Sequence, residues 1–370
     1  MNNSDLNKLH KDAIDLLKEL IATPSFSGQE DQTAGIISRF LAVKGLETTR
    51  VGNNVFSLNK NFDSSKKTIL LNSHHDTVKP NSQYTRDPFS PAIEDRKLYG
   101  LGSNDAGGAL VSLIAAFLYY WSKENLKYNL VLAATAEEEI SGKNGIESLL
   151  QSVYFIEAVK ENKEHPFRGW GCIVGEPTNM QMAVAEKGLL VLDCVACGKA
   201  AHAARDEGEN AIYRAVADIN CFRNYQFEKV SDLLGPVKMT VTSIETENKS
   251  HNIIPAQCKY DVDVRVNELY TLEEVVQTVQ ANVQSRVTPR SLRLRPTFVS
   301  LDHPLVKAGL AVGRNYFGSP TTSDKALMSF PALKMGPGDS SRSHIADEFI
   351  FIDEIMEGIE IYIQLLNQLL

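Results

Sequence analysis

A chain of 370 residues, 43% hydrophobic and 23% charged, has enough apolar material for one large or two ordinary domains with full cores, and its composition forces no disorder. A formal net charge of −8 argues against a nucleic-acid or anionic-membrane surface, which would need clustered Lys and Arg. The stretch from Met1 to Leu20 is broken by Asp5, Lys8, His10, Lys11, Asp12, Asp15, Lys18 and Glu19, so it has no apolar run of signal-peptide or membrane-spanning length, and a cytoplasmic location is expected.

Apolar residues at Leu6, Leu9, Ala13, Leu16, Leu17, Leu20 and Ile21 predict an opening helix over about 4–22, stopped by Thr23-Pro24. Ser27-Gly28-Gln29-Glu30 has capping-box spacing and predicts a second helix to about Lys44. Strands are expected over 46–51, 54–58 and 68–73, then a small-residue helix over 107–121 and apolar strands over 130–135 and 171–175. Apolar strands alternating with helices indicate an α/β fold, a mixed sheet flanked by helices with ligands at the strand ends.

Between 182 and 293 the pattern changes to strands over 189–196, 237–245 and 258–267 with helices over 210–224 and 271–285, which fits an inserted α+β sandwich of ferredoxin-like type. Within it lies Cys194-x-x-Cys197, but with five cysteines in all and no second such pair, reduced structural thiols are expected. Segments at 301–317 and 332–335 and a final helix over 353–370 then return to helices and buried strands. The expected organisation is one discontinuous domain of 1–181 and 294–370 with a second domain of 182–293 inserted.

Leu70-Leu71-Asn72-Ser73-His74-His75-Asp76 closes an apolar strand with a His-x-Asp pair, and side chains two apart on a strand share a face. Asp105 lies in the glycine-rich run Gly100-Leu101-Gly102-Ser103-Asn104-Asp105-Ala106-Gly107-Gly108, just before a helix. Glu137-Glu138-Glu139 ends one apolar strand, Glu176 in Gly175-Glu176-Pro177 ends another, and His344 lies in a polar loop after a short third. Each has a bland reading: Asp105 as a helix cap, the glutamates as a solvated loop, Glu176 as a turn residue, His344 as a surface histidine. Together they gather negative charge at strand ends, which is unfavourable unless a cation compensates it. A donor set of histidines and carboxylates without cysteine suits catalytic zinc, cobalt or manganese better than structural zinc.

With the Thr23-Pro24-Ser25 turn and Gly338-Asp339, these segments resemble, over nearly the whole chain, the two-zinc amidohydrolase family containing acetylornithine deacetylase, succinyl-diaminopimelate desuccinylase, carboxypeptidase G and aminoacylase. The Gly336-Pro337-Gly338-Asp339 and His344-x-x-Asp347-Glu348 patterns are most similar to the acetylornithine deacetylase branch. The resemblance implies two zinc ions per subunit, for which cobalt can substitute, with His74 and Glu176 on one, Glu139 and His344 on the other and Asp105 bridging. It implies Asp76 behind the His74 imidazole and Glu138 as general base, in a catalytic domain carrying a lid or dimerisation domain. Register matters, because His75 and Glu137 are chemically competent neighbours; the family's spacing selects His74 and the Glu138-Glu139 pair. The family commonly has Lys two residues after the bridging Asp, where this chain has Gly107.

In the inserted domain the resemblance implies that His202, in Gly198-x-x-x-His202, reaches the reaction's oxyanion, often from the partner subunit of a homodimer. Asn252, in Asn252-Ile253-Ile254-Pro255, would approach the substrate, and Arg265 would hold its carboxylate, against the bland reading of an Arg265–Asp263 ion pair. The implied activity removes the N-acyl group from a small N-acyl amino acid, first N2-acetyl-ornithine giving ornithine and acetate in arginine biosynthesis. N-succinyl-ornithine, N-acetyl-citrulline and N-succinyl-diaminopimelate would need the same metals and differ in pocket shape. A dipeptidase or aminopeptidase shares the chemistry, and a non-catalytic metal-binding protein is the reading from another class. Partners are expected to be that substrate and a second copy joined through the inserted domain, with no nucleic acid and no membrane.

Overall fold

Residues 3–159 and 170–370 are described by the computed structural model, and they separate into two units. The first holds the chain up to Val184, Val299–Phe317 and Ser323–Leu370; the second holds Ala185–Phe298 and Gly318–Thr322. The expected insertion of 182–293 thus begins and ends a few residues later, and a short return segment joins it. That segment is tied back by Lys187, whose N–H donates to the Ser319 carbonyl at 3.2 Å and whose carbonyl accepts from the Thr322 hydroxyl at 2.9 Å.

In the first unit the apolar runs form a mixed sheet. Its order is Thr49–Val51, Asn54–Leu58, Asn129–Thr135, Thr68–His74, Gly171–Val174, Ala332–Lys334 and the strand beginning at Met182. The four strands from Asn129–Thr135 to Ala332–Lys334 run parallel. Every residue of Thr68–His74 and Asn129–Thr135 is buried, which is why these strands read as continuous apolar runs rather than alternations. Helix Gly108–Tyr120 is apolar on all sides, packs under the sheet, and is covered by Asn3–Ile21 and Ile352–Asn367. A separate small sheet joins Ala92–Glu94, Lys97–Tyr99 and Phe349–Phe351.

The helix predicted from Ser27 starts later and without the capping box. It spans Asp31–Val43, and its start receives no side-chain cap. The Ser27 hydroxyl donates instead to the Asp76 carboxylate at 2.6 Å, while Glu30 accepts from the Gly28 N–H at 2.6 Å and the Asn53 amide at 2.8 Å. A tertiary partner has displaced the local one.

The second unit is a four-stranded antiparallel sheet in the order Lys238–Thr246, Gln257–Val266, Gly188–Cys197, Arg286–Pro289. Helices Ala211–Asn224 and Leu272–Asn282 complete the chain order β-α-β-β-α-β of a ferredoxin-like sandwich. Leu190, Leu192, Cys194 and Ala196 alternate inward with Tyr260, Val262, Val264 and Val266 beside them, as period-two burial requires. Cys194 faces this core whereas Cys197 is exposed, so the Cys-x-x-Cys pair does not converge. Asn210 caps the first helix through the Ile212 N–H, and Thr271 with Glu274 forms a capping box on the second.

Candidate metal centre

The parallel strands Asn129–Thr135, Thr68–His74, Gly171–Val174 and Ala332–Lys334 are neighbours, so the segments leaving their C-terminal ends lie side by side. These segments carry Glu137–Glu139, His74–Asp76, Glu176 and Asp339–His344. A parallel sheet places ligand-binding loops on this edge. Asp105 joins them from the turn ahead of helix Gly108–Tyr120.

Two ligand-competent groups result. His74, Asp105 and Glu176 offer donor atoms within 4.8 Å of one another, and so do Asp105, Glu139 and His344. Asp105 belongs to both: Oδ1 lies 3.4 Å from His74 Nε2, and Oδ2 lies 3.6 Å from His344 Nε2. His74 Nε2 is also 3.8 Å from Glu176 Oε1, and His344 Nε2 is 3.0 Å from Glu139 Oε2. His74 Nε2 and Glu176 Oε1 are buried and have no hydrogen-bond partner, an arrangement that a cation between them would satisfy. The donor set therefore fits metal ions.

Asp76 lies just past the strand, which ends at His74. Its main-chain carbonyl and Oδ1 are 3.0 and 3.3 Å from His74 Nδ1, so the other ring nitrogen is turned toward Asp105. The same carboxylate accepts the N–H groups of Glu138 and Glu139. Glu138 Oε2 is 4.0 Å from His74 Nε2, beside both groups and a member of neither.

The electrostatics follow from confinement. Burial, then the charge of Glu176, pushes Glu138 well above the usual carboxylate range. Burial raises Glu176 to about 8, and the hydrogen bond to Glu139 raises His344 to about 9. Burial is also the largest influence on Asp105 and pushes it up, but the hydrogen bond and charge of His74, with the Ser343 hydrogen bond and the His344 charge, together outweigh it, and the carboxyl ends below its ordinary value. Glu139 is raised by burial as well, so three carboxyls are pushed up and one is pulled down in the same small volume, the crowding of negative charge that a cation would relieve.

The two register alternatives, His75 and Glu137, are engaged with other partners. His75 has both ring nitrogens engaged away from the site, Nδ1 with the Thr33 hydroxyl at 2.9 Å and Nε2 with the Asn53 carbonyl at 3.0 Å. Glu137 accepts from the Asn144 N–H and side-chain amide, bracing its own loop. Gly107 has no room for the family's lysine, since a β-carbon would meet the Gly102 carbonyl oxygen at 2.4 Å and Leu17 Cδ1 at 2.6 Å.

In the second unit, His202 and Asn252 come together on a two-stranded ribbon: His202 pairs with Ile253, and the Ala203 N–H donates to the Asn252 carbonyl at 2.9 Å. Both side chains are exposed. Arg265 makes a two-pronged ion pair with Asp263, Nε to Oδ1 at 2.8 Å and Nη2 to Oδ2 at 3.0 Å.

Sequence reasoning missed three contributors. Asp324, buried, accepts from Asn72 at 2.8 Å and Thr135 at 2.9 Å, and its charge helps raise Glu138. Asn104 exchanges two hydrogen bonds with the Asp339 main chain, both at 3.0 Å. Glu348 accepts three backbone N–H groups of the Asp105 turn. Only Glu348 carried a signal, its place in His344-x-x-Asp347-Glu348.

A mixed α/β domain with two carboxylate-histidine groups sharing one aspartate, and a free glutamate beside them, defines a metal-dependent amide hydrolase. The chain belongs to peptidase family M20/M25/M40, whose model matches residues 70–368. Among curated relatives, it is 24% identical to succinyl-diaminopimelate desuccinylase 2 of Ruegeria sp., over 74% of this chain and 70% of that one. It is also 24% identical to succinyl-diaminopimelate desuccinylase of Wolbachia pipientis, over 95% of this chain and 92% of the relative. In fold it is similar to aminopeptidase PepT from Bacillus cereus, with TM-score 0.74, 16% identity and coverage of 97% and 98% of the two chains. An M20 family metallo-carboxypeptidase from Sulfolobus solfataricus gives TM-score 0.71 and 19% identity, covering 96% and 98%.

Proposed function

We propose that this chain removes an N-acyl group from an amino acid by hydrolysis, with divalent ions, zinc first, held by His74, Asp105 and Glu176 and by Asp105, Glu139 and His344. The observation that carries this reading is the divided Asp105 carboxylate, one oxygen toward each histidine. When bound, such ions supply Lewis acidity toward an amide carbonyl and acidify water. Glu138 is the general base: it takes the proton of the attacking water and returns it to the leaving amine. Its raised proton affinity suits a group that must hold a proton between two steps. Asp76 fixes the His74 tautomer.

His202 is assigned to the oxyanion and Asn252 to the substrate, and their adjacency on one ribbon supports a shared task. Arg265 is assigned to the substrate's carboxylate, with Asp263 holding the guanidinium flat and oriented. A homodimer through the second unit is supported by its edge strand Lys238–Thr246, with Ile244 52% exposed, and by Tyr213 and Val216, 75% and 46% exposed, on helix Ala211–Asn224. Light scattering at the mass of one copy would remove this part. A cytoplasmic setting agrees with five unpaired thiols, three of them buried.

For the acyl group, the desuccinylase names of the relatives favour an N-succinyl substrate such as N-succinyl-diaminopimelate over the N2-acetyl-ornithine that the sequence suggests. Arginine biosynthesis correspondingly yields first place. N2-acetyl-ornithine stays as the second reading, on the Gly336-Pro337-Gly338-Asp339 pattern. The test is hydrolysis by zinc- and cobalt-loaded protein of N-acetyl and N-succinyl forms of ornithine, citrulline, lysine and diaminopimelate. No turnover of any of them would overturn the deacylase reading.

A further inference from the structure

Asp105 is the only residue common to both ligand groups among the described residues, so the accuracy of the centre depends on how its turn is held. Its own side chain is committed to the site, one oxygen toward each histidine, with Ser343 beside it. The turn is held by Glu348, 2% exposed, from the far end of the C-terminal segment. Oε1 accepts the N–H of Asn104 at 2.8 Å and of Asp105 at 2.9 Å, and Oε2 accepts the N–H of Gly102 at 3.0 Å. The Glu348 main chain adds a fourth tie, its carbonyl accepting the Gly100 N–H at 2.9 Å.

For stability alone this is an unfavourable choice. A carboxyl group is desolvated next to the Asp105 carboxylate, and burying a polar group with imperfect compensation is commonly worse than burying an apolar side chain. What the arrangement provides is direction: an acceptor with two oxygens fixes three donors of one short turn at once.

We propose that Glu348 is the positioning residue of the metal-bridging turn, fixing Gly102–Asp105 so that the two Asp105 oxygens face their separate histidines before any ion arrives. This rests on the two-metal reading above. Because Asp105 is shared, loosening the turn must degrade both ligand groups together, whereas loss of Glu176 or Glu139 touches one.

The test titrates metal-free wild type, Glu348→Gln and Glu176→Gln with zinc against a chromophoric chelator, counting sites and affinities. Glu176→Gln should weaken one site. Glu348→Gln should weaken both, each by about 10-fold or more, and hydrogen exchange in the peptide over 101–107 of the metal-free variant should quicken. Unchanged affinities, weakening of one site alone, or a lowered Tm with both affinities kept would each overturn the inference. If Glu348→Gln does not fold, Glu348→Asp, which keeps the carboxyl group but draws both oxygens back by one methylene, is read in the same titration with the same outcomes. A wild type that binds no zinc overturns this inference and the reading beneath it; a wild type with two sites and an unaffected variant overturns this inference alone.

Discussion

The Asp76 carboxylate accepts the backbone N–H of Glu138 at 3.1 Å while its other contacts fix the His74 ring, so one side chain sets both a ligand and the loop of the proposed base. Asp76→Ala should therefore lower zinc affinity and kcat together, each by about 10–100-fold. Ser27→Ala, which removes only the 2.6 Å hydrogen bond to Asp76, should have a much smaller effect. Equal losses from the two variants would mean that Asp76 does not link the two parts.

Glu138→Gln should keep both metals, since Glu138 lies in neither ligand group, and lose nearly all turnover. Removal of a positioned general base costs about 100–10,000-fold. Metal content by mass spectrometry and kcat on the best substrate are the two readings. Substantial residual activity would place the base elsewhere.

Metal uptake should release protons. A ligand must shed its proton to bind, and in the metal-free chain Glu176 titrates at about 8 and His344 at about 9. Both folded values lie above the ordinary ones, so both groups are largely protonated at pH 7, and apparent affinity should climb as pH rises toward 9. Calorimetry in buffers of different ionisation enthalpy measures the release. An affinity that does not change between pH 7 and 9 would contradict it.

Gly336 should not tolerate a side chain. A β-carbon there would meet the Glu176 carbonyl oxygen at 2.5 Å and Ala109 Cβ at 2.9 Å, both firmly placed. Gly336→Ala should cost about 1–3 kcal/mol by overpacking and weaken the Glu176 metal site as well. Denaturant unfolding and zinc titration read the two effects, and a variant normal in both would show that the loop yields.

Arg265→Ala should raise KM much more for substrates with a free α-carboxylate than for their amides. The observed pairing with Asp263 sharpens the control: Asp263→Asn should also raise KM for the carboxylate substrates, by letting the guanidinium wander. Equal effects of Arg265→Ala on both substrate classes would return Arg265 to a surface ion pair.

Four of the five candidate ligands were legible because each follows an apolar strand whose burial on both faces marks it as central, as for His74 after Thr68–Ser73, whereas Asp105 was read from its glycine-rich turn ahead of a helix. The alternation of Val262, Val264 and Val266 made the inserted sheet equally readable. Ser27 misled because its spacing satisfied a local rule while its hydroxyl went to Asp76, 49 residues away. The hairpin between Ala92–Glu94 and Lys97–Tyr99 escaped notice because Asp95 and Arg96 turn with φ of 47° and 61°, where Asn-Gly would have announced it. Asp324 could not be placed at all, and Glu348 showed only as part of the His344-x-x-Asp347-Glu348 pattern with no hint of its role, since the partners of both lie across the fold.

Strand Ala332–Lys334 lies between Gly171–Val174 and the strand beginning at Met182, both of which precede the insertion in the chain. During synthesis the place of this strand in the central sheet therefore stays unfilled until the whole second unit has left the ribosome. His344 emerges later still, so a nascent chain can gather only one complete ligand group, and the second closes only when the His344 loop appears.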